Sequence, residues 1–282
     1  MNKKRKREVM LAYPFEPSRL NNWSLAYVQP KLDGDRCRAL VKGGEVTLLT
    51  SEGNIIKSVP HIEAQLKEIV RRNSLENIEF DGELYKHGVP HQFLHSIVSR
   101  KTNLHPNYED VEYHIFDIAD ISPQYHRFTI LSRIDLESPS IKVVDTNKCC
   151  ATMITISDIL KDYIEMGYEG IIVRHPSLQY TRKRTTNMMK WKPAKSDTYR
   201  IVGFTEEISK DGIPKGRLGA LLLEDQDGFH FSVGTGFNDY QREAYWTERD
   251  ALLGMKCTIK YQQLTERGVP RFPVFMYLVD KE

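Results

Sequence analysis

A chain of 282 residues with 40% hydrophobic and 28% charged side chains, 14 Tyr and 11 Phe, excludes a disordered or fibrous protein and leaves one large domain or two ordinary ones. Its formal net charge of +2 excludes a uniformly basic molecule, so contact with nucleic acid has to come from local clusters of Lys and Arg. No stretch approaches the roughly 18 apolar residues of a membrane span, and the basic start runs into Leu11, Ala12, Tyr13 and Pro14 without an apolar signal core, so a cytoplasmic protein is expected, or a nuclear one in a eukaryotic host.

The first basic cluster is Lys3-Lys4-Arg5-Lys6-Arg7; others are Arg71 and Arg72, Arg100 and Lys101, and residues 182–184. Each is by default a solvated face, and the first also fits a nuclear-localisation patch or a contact with a nucleic-acid backbone. Residues 25–50 have a strand-like pattern, with Val41 and Val46 flanking a turn at Gly43-Gly44, which predicts a hairpin. Between two of these strands lies Lys31-Leu32-Asp33-Gly34-Asp35-Arg36, where a lysine can be held partly desolvated among charged partners. An amine attacks phosphorus only when deprotonated, so the site must lower the lysine pKa through burial and nearby positive charge. Lys190 and Lys192 are candidates for that charge. Taken alone, the string is equally well explained by a surface hairpin with a salt-bridged lysine.

Pro60 opens a segment in which Ile62, Leu66, Ile69 and Val70 recur at helical spacing. Short apolar runs follow at residues 78–85 and 113–118, then a helix from near Ser157 and a further run at 170–174. His91 and His95 stand four apart on a predicted helix, but no acidic residue is spaced with them as in zinc hydrolases, so metal binding there is disfavoured. The polar, proline-containing residues 193–197 mark a boundary, giving domains 1–194 and 195–282. Beyond it, strand candidates at 199–204, 220–224, 229–233, 256–262 and 275–279 suit a small barrel. Gly234-Thr235-Gly236 lacks the strand-to-helix surroundings of a dinucleotide site and fits a tight strand turn. Cys37, Cys149, Cys150 and Cys257 lack zinc spacing and are expected to be reduced thiols.

After the lysine string come Phe80-Asp81-Gly82-Glu83, Tyr113-His114-Ile115-Phe116-Asp117, Glu169-Gly170-Ile171-Ile172-Val173-Arg174 and Lys190-Trp191-Lys192, each associated with a predicted strand. In this order the chain resembles the covalent nucleotidyltransferase superfamily of DNA ligases, RNA ligases and messenger-RNA capping enzymes. The resemblance implies Lys31 as the nucleophile that takes AMP, with Asp33 and Arg36 beside nucleotide or DNA phosphate. It implies Glu83 at the ribose and metal, Phe116 stacked on the purine, Glu169 holding the catalytic metal, and Lys190 and Lys192 on the α-phosphate. Carboxylate ligands shared with phosphate oxygens suit Mg²⁺.

Residues 216–222 and 233–237 further resemble the ligase barrel, which favours an ATP-dependent DNA ligase of the minimal two-domain type, as in viruses, phages and some bacteria. The fold implied is α+β: a nucleotidyltransferase (ATP-grasp-like ligase) domain with antiparallel sheets and helices, followed by a small all-β OB-fold barrel. The partner implied is nicked double-stranded DNA, bound by a monomer. The alternatives are an RNA ligase or capping-type enzyme, and a non-catalytic nick-binding protein. Two departures stand out. Thr50-Ser51-Glu52-Gly53 lacks the arginine expected after the lysine motif, and the C-terminal motif lacks the several arginines expected before Asp280-Lys281, so self-adenylylation is expected either to be slow or to use other basic groups, with Arg267, Arg271 and Lys281 as candidates.

Overall fold

The computed structural model describes residues 8–265 and 267–279, so the basic run at residues 3–7 and Lys281 lie outside the described residues. The chain divides into two compact units, Met1–Trp191 and Lys192–Glu282. Among the described residues no helix is long and apolar enough to cross a membrane.

The first unit contains, in chain order, β1 (Leu11–Pro14), β2 (Leu25–Pro30), β3 (Asp35–Lys42), β4 (Glu45–Thr50), α1 (Pro60–Arg72), β5 (Asn77–Tyr85), α2 (His91–Val98), β6 (Glu112–Ile118), α3 (Gln124–Leu131), β7 (Ile141–Val143), β8 (Asn147–Cys150), α4 (Met153–Glu165), β9 (Ile171–Arg174) and β10 (Arg184–Trp191). They form two five-stranded sheets, ordered β4-β3-β5-β6-β7 and β1-β10-β9-β2-β8. Pairing is antiparallel, as expected, except at β6–β7 and β1–β10. In the predicted hairpin Val41 does pair with Val46, and Gly43 and Gly44 turn at φ 58° and 79°, a conformation that costs glycine little.

Helix α1 buries Ile62, Leu66, Ile69 and Val70 as the spacing predicts, each burial contributing about 1.5–3 kcal/mol. At its end Arg71 pairs with Glu68 at 2.6 Å on the exposed surface, and Arg72 donates to the Asp135 and Glu137 carbonyls at 2.8 and 2.6 Å. Arg182 likewise pairs with Glu79 at 2.6 Å. Arg72 and Arg182 are therefore engaged with the protein's own carbonyls and carboxylates rather than presented as open phosphate contacts. Helix α4 begins earlier than the expected Ser157, because the Thr152 side chain accepts the Thr155 N–H and caps it.

The second unit contains β11 (Lys195–Ile208), β12 (Pro214–Glu224), β13 (His230–Val233), α5 (Asp239–Thr247), α6 (Arg249–Leu252), β14 (Lys256–Tyr261), β15 (Gln263–Leu264), β16 (Pro270–Arg271) and β17 (Val274–Val279). The long strands form one sheet, β13-β12-β11-β14-β17, over a core that includes Ile201, Leu221, Val233, Ile259 and Phe275. The unit is OB-like but not all-β: Asn238 and Gln241 make a reciprocal capping box that starts α5. Nor does a ladder close a barrel among the described residues. The two sheet edges meet at one seam, where the Phe275 N–H donates to the Thr235 carbonyl at 2.9 Å and the Thr235 hydroxyl to the Pro273 carbonyl at 2.9 Å. Gly236 sits at this seam with φ 95°, and a Cβ there would collide with the Phe275 backbone. The Gly-Thr-Gly string is thus a strand junction, with no dinucleotide geometry.

Candidate active site

Strand β2 ends at Pro30, opposite Ile171 on β9. The next residue, Lys31, donates its N–H to the Gly170 carbonyl at 2.8 Å. Antiparallel pairing thereby brings the residue after one strand to the residues before the other, and the Lys31 ammonium meets the Glu169 carboxylate in an ion pair. The two side chains are 21% and 11% exposed, so the pair is shielded without being sealed.

Strand β3 then presses closely on β5. A Cβ on Gly34 would meet the Leu84 carbonyl oxygen and come within 2.9 Å of the Glu83 Cγ, which is why the strand needs glycine there. Beyond it Arg36 pairs in register with Glu83. Strand β6 carries a bulge: Asp81 faces Asp117 and Gly82 faces Ile115, so the ladder skips Phe116. A bulge re-aims a side chain, and here it delivers the Phe116 ring to the cavity wall.

That cavity has a volume of about 310 Å³. Its polar wall carries Lys31, Arg36, Glu83, Arg174, Arg184 and Lys190, and Phe116, Ile172 and Met188 contribute the apolar wall. The Arg36 guanidinium lies 4.6 Å from the Phe116 ring centroid and donates two 2.6 Å hydrogen bonds to Asp81. Tyr180 adds a 2.5 Å bond to the same carboxylate. Arg174 lies 5.6 Å from the Phe116 centroid, donates to Gln29 at 2.9 Å, and Gln29 in turn donates to the Phe116 carbonyl at 3.0 Å. The ring's backbone and its surroundings are therefore fixed by a buried polar network.

Burial pushes the Lys31 pKa down, opposed by the charges of Glu83 and Asp33 and assisted by Arg36. Arg36 is thus a cation that acts on the amine, a part the sequence reading had given to Lys190 and Lys192. Burial also lifts Glu83 to about 7, against the pull of Arg36 and Lys31. A depressed lysine beside a raised carboxyl is the pairing expected where protons and charge are exchanged.

The structure brings Lys31, Arg36, Glu83, Phe116 and Lys190 to one cavity. Glu169 joins them through Lys31. Asp33 is not on the cavity wall and reaches Lys31 only through its charge, and Lys192 belongs to the second unit. Sequence reasoning missed Arg174 and Arg184 as wall residues. A charge closing the apolar run Ile171-Ile172-Val173 was the available signal for Arg174. It also missed the acidic companion of His91 and His95: the Asp35 carboxylate lies 3.0 Å from His95 Nδ1 and 3.6 Å from His91 Nε2. Asp35 is distant in sequence, so helical spacing could not reveal it.

The sequence profile of the ATP dependent DNA ligase domain matches residues 9–192, and that of the DNA ligase OB-like domain matches residues 211–278. A DNA ligase of Haemophilus influenzae is 24% identical over 277 residues, covering 95% of this chain and 91% of that protein. The solved structure Pmar-Lig_PreS3 superposes with a TM-score of 0.79 at 26% identity, over 96% of this chain and 67% of that one. A solved Lig E DNA ligase shares the fold with a TM-score of 0.71 at 24% identity, over 96% and 98% of the respective chains.

Proposed function

The chain belongs to the ATP-dependent DNA ligase family, and from that premise we propose that Lys31 is the residue that carries AMP and that a nick in duplex DNA is the substrate. The observation that carries this reading is the Lys31 amine: half-buried in a cavity with Arg36 and Phe116, and depressed in pKa. A lysine so placed supplies the neutral nucleophile that nucleotidyl transfer requires.

The Lys31 ammonium gives up a proton, for which the Glu169 carboxylate is a base within hydrogen-bond reach, and becomes the neutral amine. Its lone pair then forms a bond to the α-phosphorus of ATP, and the bond from that phosphorus to the bridging oxygen breaks, releasing pyrophosphate. AMP remains on Lys31 as a phosphoramidate. The purine lies against Phe116, while Arg36, Arg184 and Lys190 neutralise phosphate charge. The 5′-phosphate at the nick next attacks the adenylyl phosphorus and frees Lys31. The 3′-hydroxyl finally attacks the activated 5′-phosphate, AMP departs, and the strand is sealed.

The carboxylates of Glu83 and Glu169 flank the amine, a hard-oxygen donor set that fits Mg²⁺ shared with phosphate. When bound, Mg²⁺ would neutralise charge developing on the phosphate oxygens.

Incubation with α-labelled ATP, then denaturing electrophoresis and peptide mapping, tests the assignment. One adenylate per chain on Lys31 is expected, with loss of label in Lys31→Ala. A wild-type chain without label, or label on another residue, refutes it. Parallel sealing assays on nicked DNA and nicked RNA separate DNA joining from RNA joining.

A further inference from the structure

The geometry points to a second metal site, built from Asp35, His91 and His95, that takes a borderline divalent ion of the Zn²⁺ class. It is separate from the carboxylate pair at Lys31.

His91 and His95 stand one turn apart on α2 and face the first residue of β3. His95 Nδ1 lies 3.0 and 3.1 Å from the two Asp35 oxygens, and His91 Nε2 lies 3.6 Å from one of them. The imidazole rings are tilted by 39° with centroids 5.7 Å apart. One donor atom from each of the three residues falls within 4.8 Å of the others. Ligand bonds of about 2.0–2.1 Å to tetrahedral Zn²⁺ set its donor atoms roughly 3.3 Å apart. Both nitrogen-to-oxygen separations are already near that edge, and rotation of two partly exposed imidazoles closes the third.

The donor chemistry separates this site from the one beside Lys31. Two imidazoles and a carboxylate favour Zn²⁺, Co²⁺ or Ni²⁺, whereas Mg²⁺ prefers an all-oxygen set. The His91 and His95 side chains are 37% and 58% exposed, which leaves a fourth position open to water. A bound ion would clamp α2 to the start of β3, one residue before Arg36.

The test uses the full chain, stripped with a chelator and titrated with Zn²⁺ against a chromophoric competitor in excess Mg²⁺. A parallel Co²⁺ titration is followed by visible absorption. One equivalent of Zn²⁺ and a Co²⁺ spectrum of imidazole-ligated type are expected. In His91→Ala/His95→Ala, affinity should fall at least about 10-fold, the loss seen even for an outer partner of a metal ligand. Asp35→Asn should weaken binding as well. Should the double variant unfold, His95→Gln supplies the same comparison. Wild-type binding no tighter than the variant's, a site that Mg²⁺ displaces, or Zn²⁺ that stays after both histidines are removed and so sits elsewhere, would each overturn the proposal.

Discussion

Lys31 and Glu83 are displaced from their ordinary protonation in opposite directions by the same cause, removal from water. For Lys31 the folded pKa is depressed, so the reactive neutral amine accumulates below the usual 10.5. The rate of adduct formation in single-turnover experiments is therefore expected to climb with pH and level off before 10.5, and a profile still rising beyond it would contradict the depression. For Glu83 the folded pKa of about 7 exceeds the ordinary 4.5. Below 4.5 both states hold the proton and the full stability is present; between 4.5 and about 7 the unfolded chain ionises while the folded one does not, so stability falls with pH and levels off above 7. Glu83→Gln cannot ionise, so it should melt higher than wild type at pH 8 by an amount of order 1–3 kcal/mol. The difference should vanish near pH 4, and thermal melts at the two pH values measure it.

Between elements, the tie of greatest consequence is Asp117 on β6, which is wholly buried and accepts from Arg127 on α3 at 2.8 Å and from Arg174 on β9 at 2.9 Å. It links the two sheets of the first unit behind the Phe116 ring. Asp117→Ala leaves two buried guanidinium groups without their counter-charge and should cost about 3–5 kcal/mol, read as a lowered midpoint in urea. Much of this architecture could be read from the sequence. Strands of period two, the Gly43-Gly44 turn and the apolar stripe of α1 each carry a local signal, and the order of short motifs singled out Lys31, Glu83 and Phe116, which fold to one cavity. What stayed hidden is non-local or atomic. The bulge that turns Phe116 toward the cavity depends on pairing between β5 and β6. Asp35 reaches His95 only after folding. Helix α5 was overlooked because its cap, Asn238 with Gln241, sits among residues whose glycine turns suggested strands throughout.

Across the whole chain, the near-neutral balance makes it matter which cations remain available. Arg71, Arg72 and Arg182 are engaged with Glu68, Asp135 and Glu79, while Arg100 and Lys101 are exposed. Replacing Arg100 and Lys101 by alanine should flatten the plot of log affinity for DNA against log salt by up to about 0.9 per lost phosphate contact. Replacing Arg72, which is held by the Asp135 and Glu137 carbonyls, should leave the slope unchanged, and an effect per residue equal to that of the exposed pair would refute the division. The seam at Gly236 bears on a different hazard, stickiness between copies. Strands β13 and β17 each have one neighbour in the ladder, and their free margins are turned toward one another by a glycine whose missing methyl lets Phe275 approach. Gly236→Val would wedge them apart and expose unsatisfied peptide groups able to recruit a strand from another molecule. Its signature should be turbidity that grows with protein concentration, appearing before any change in the chemistry at the lysine.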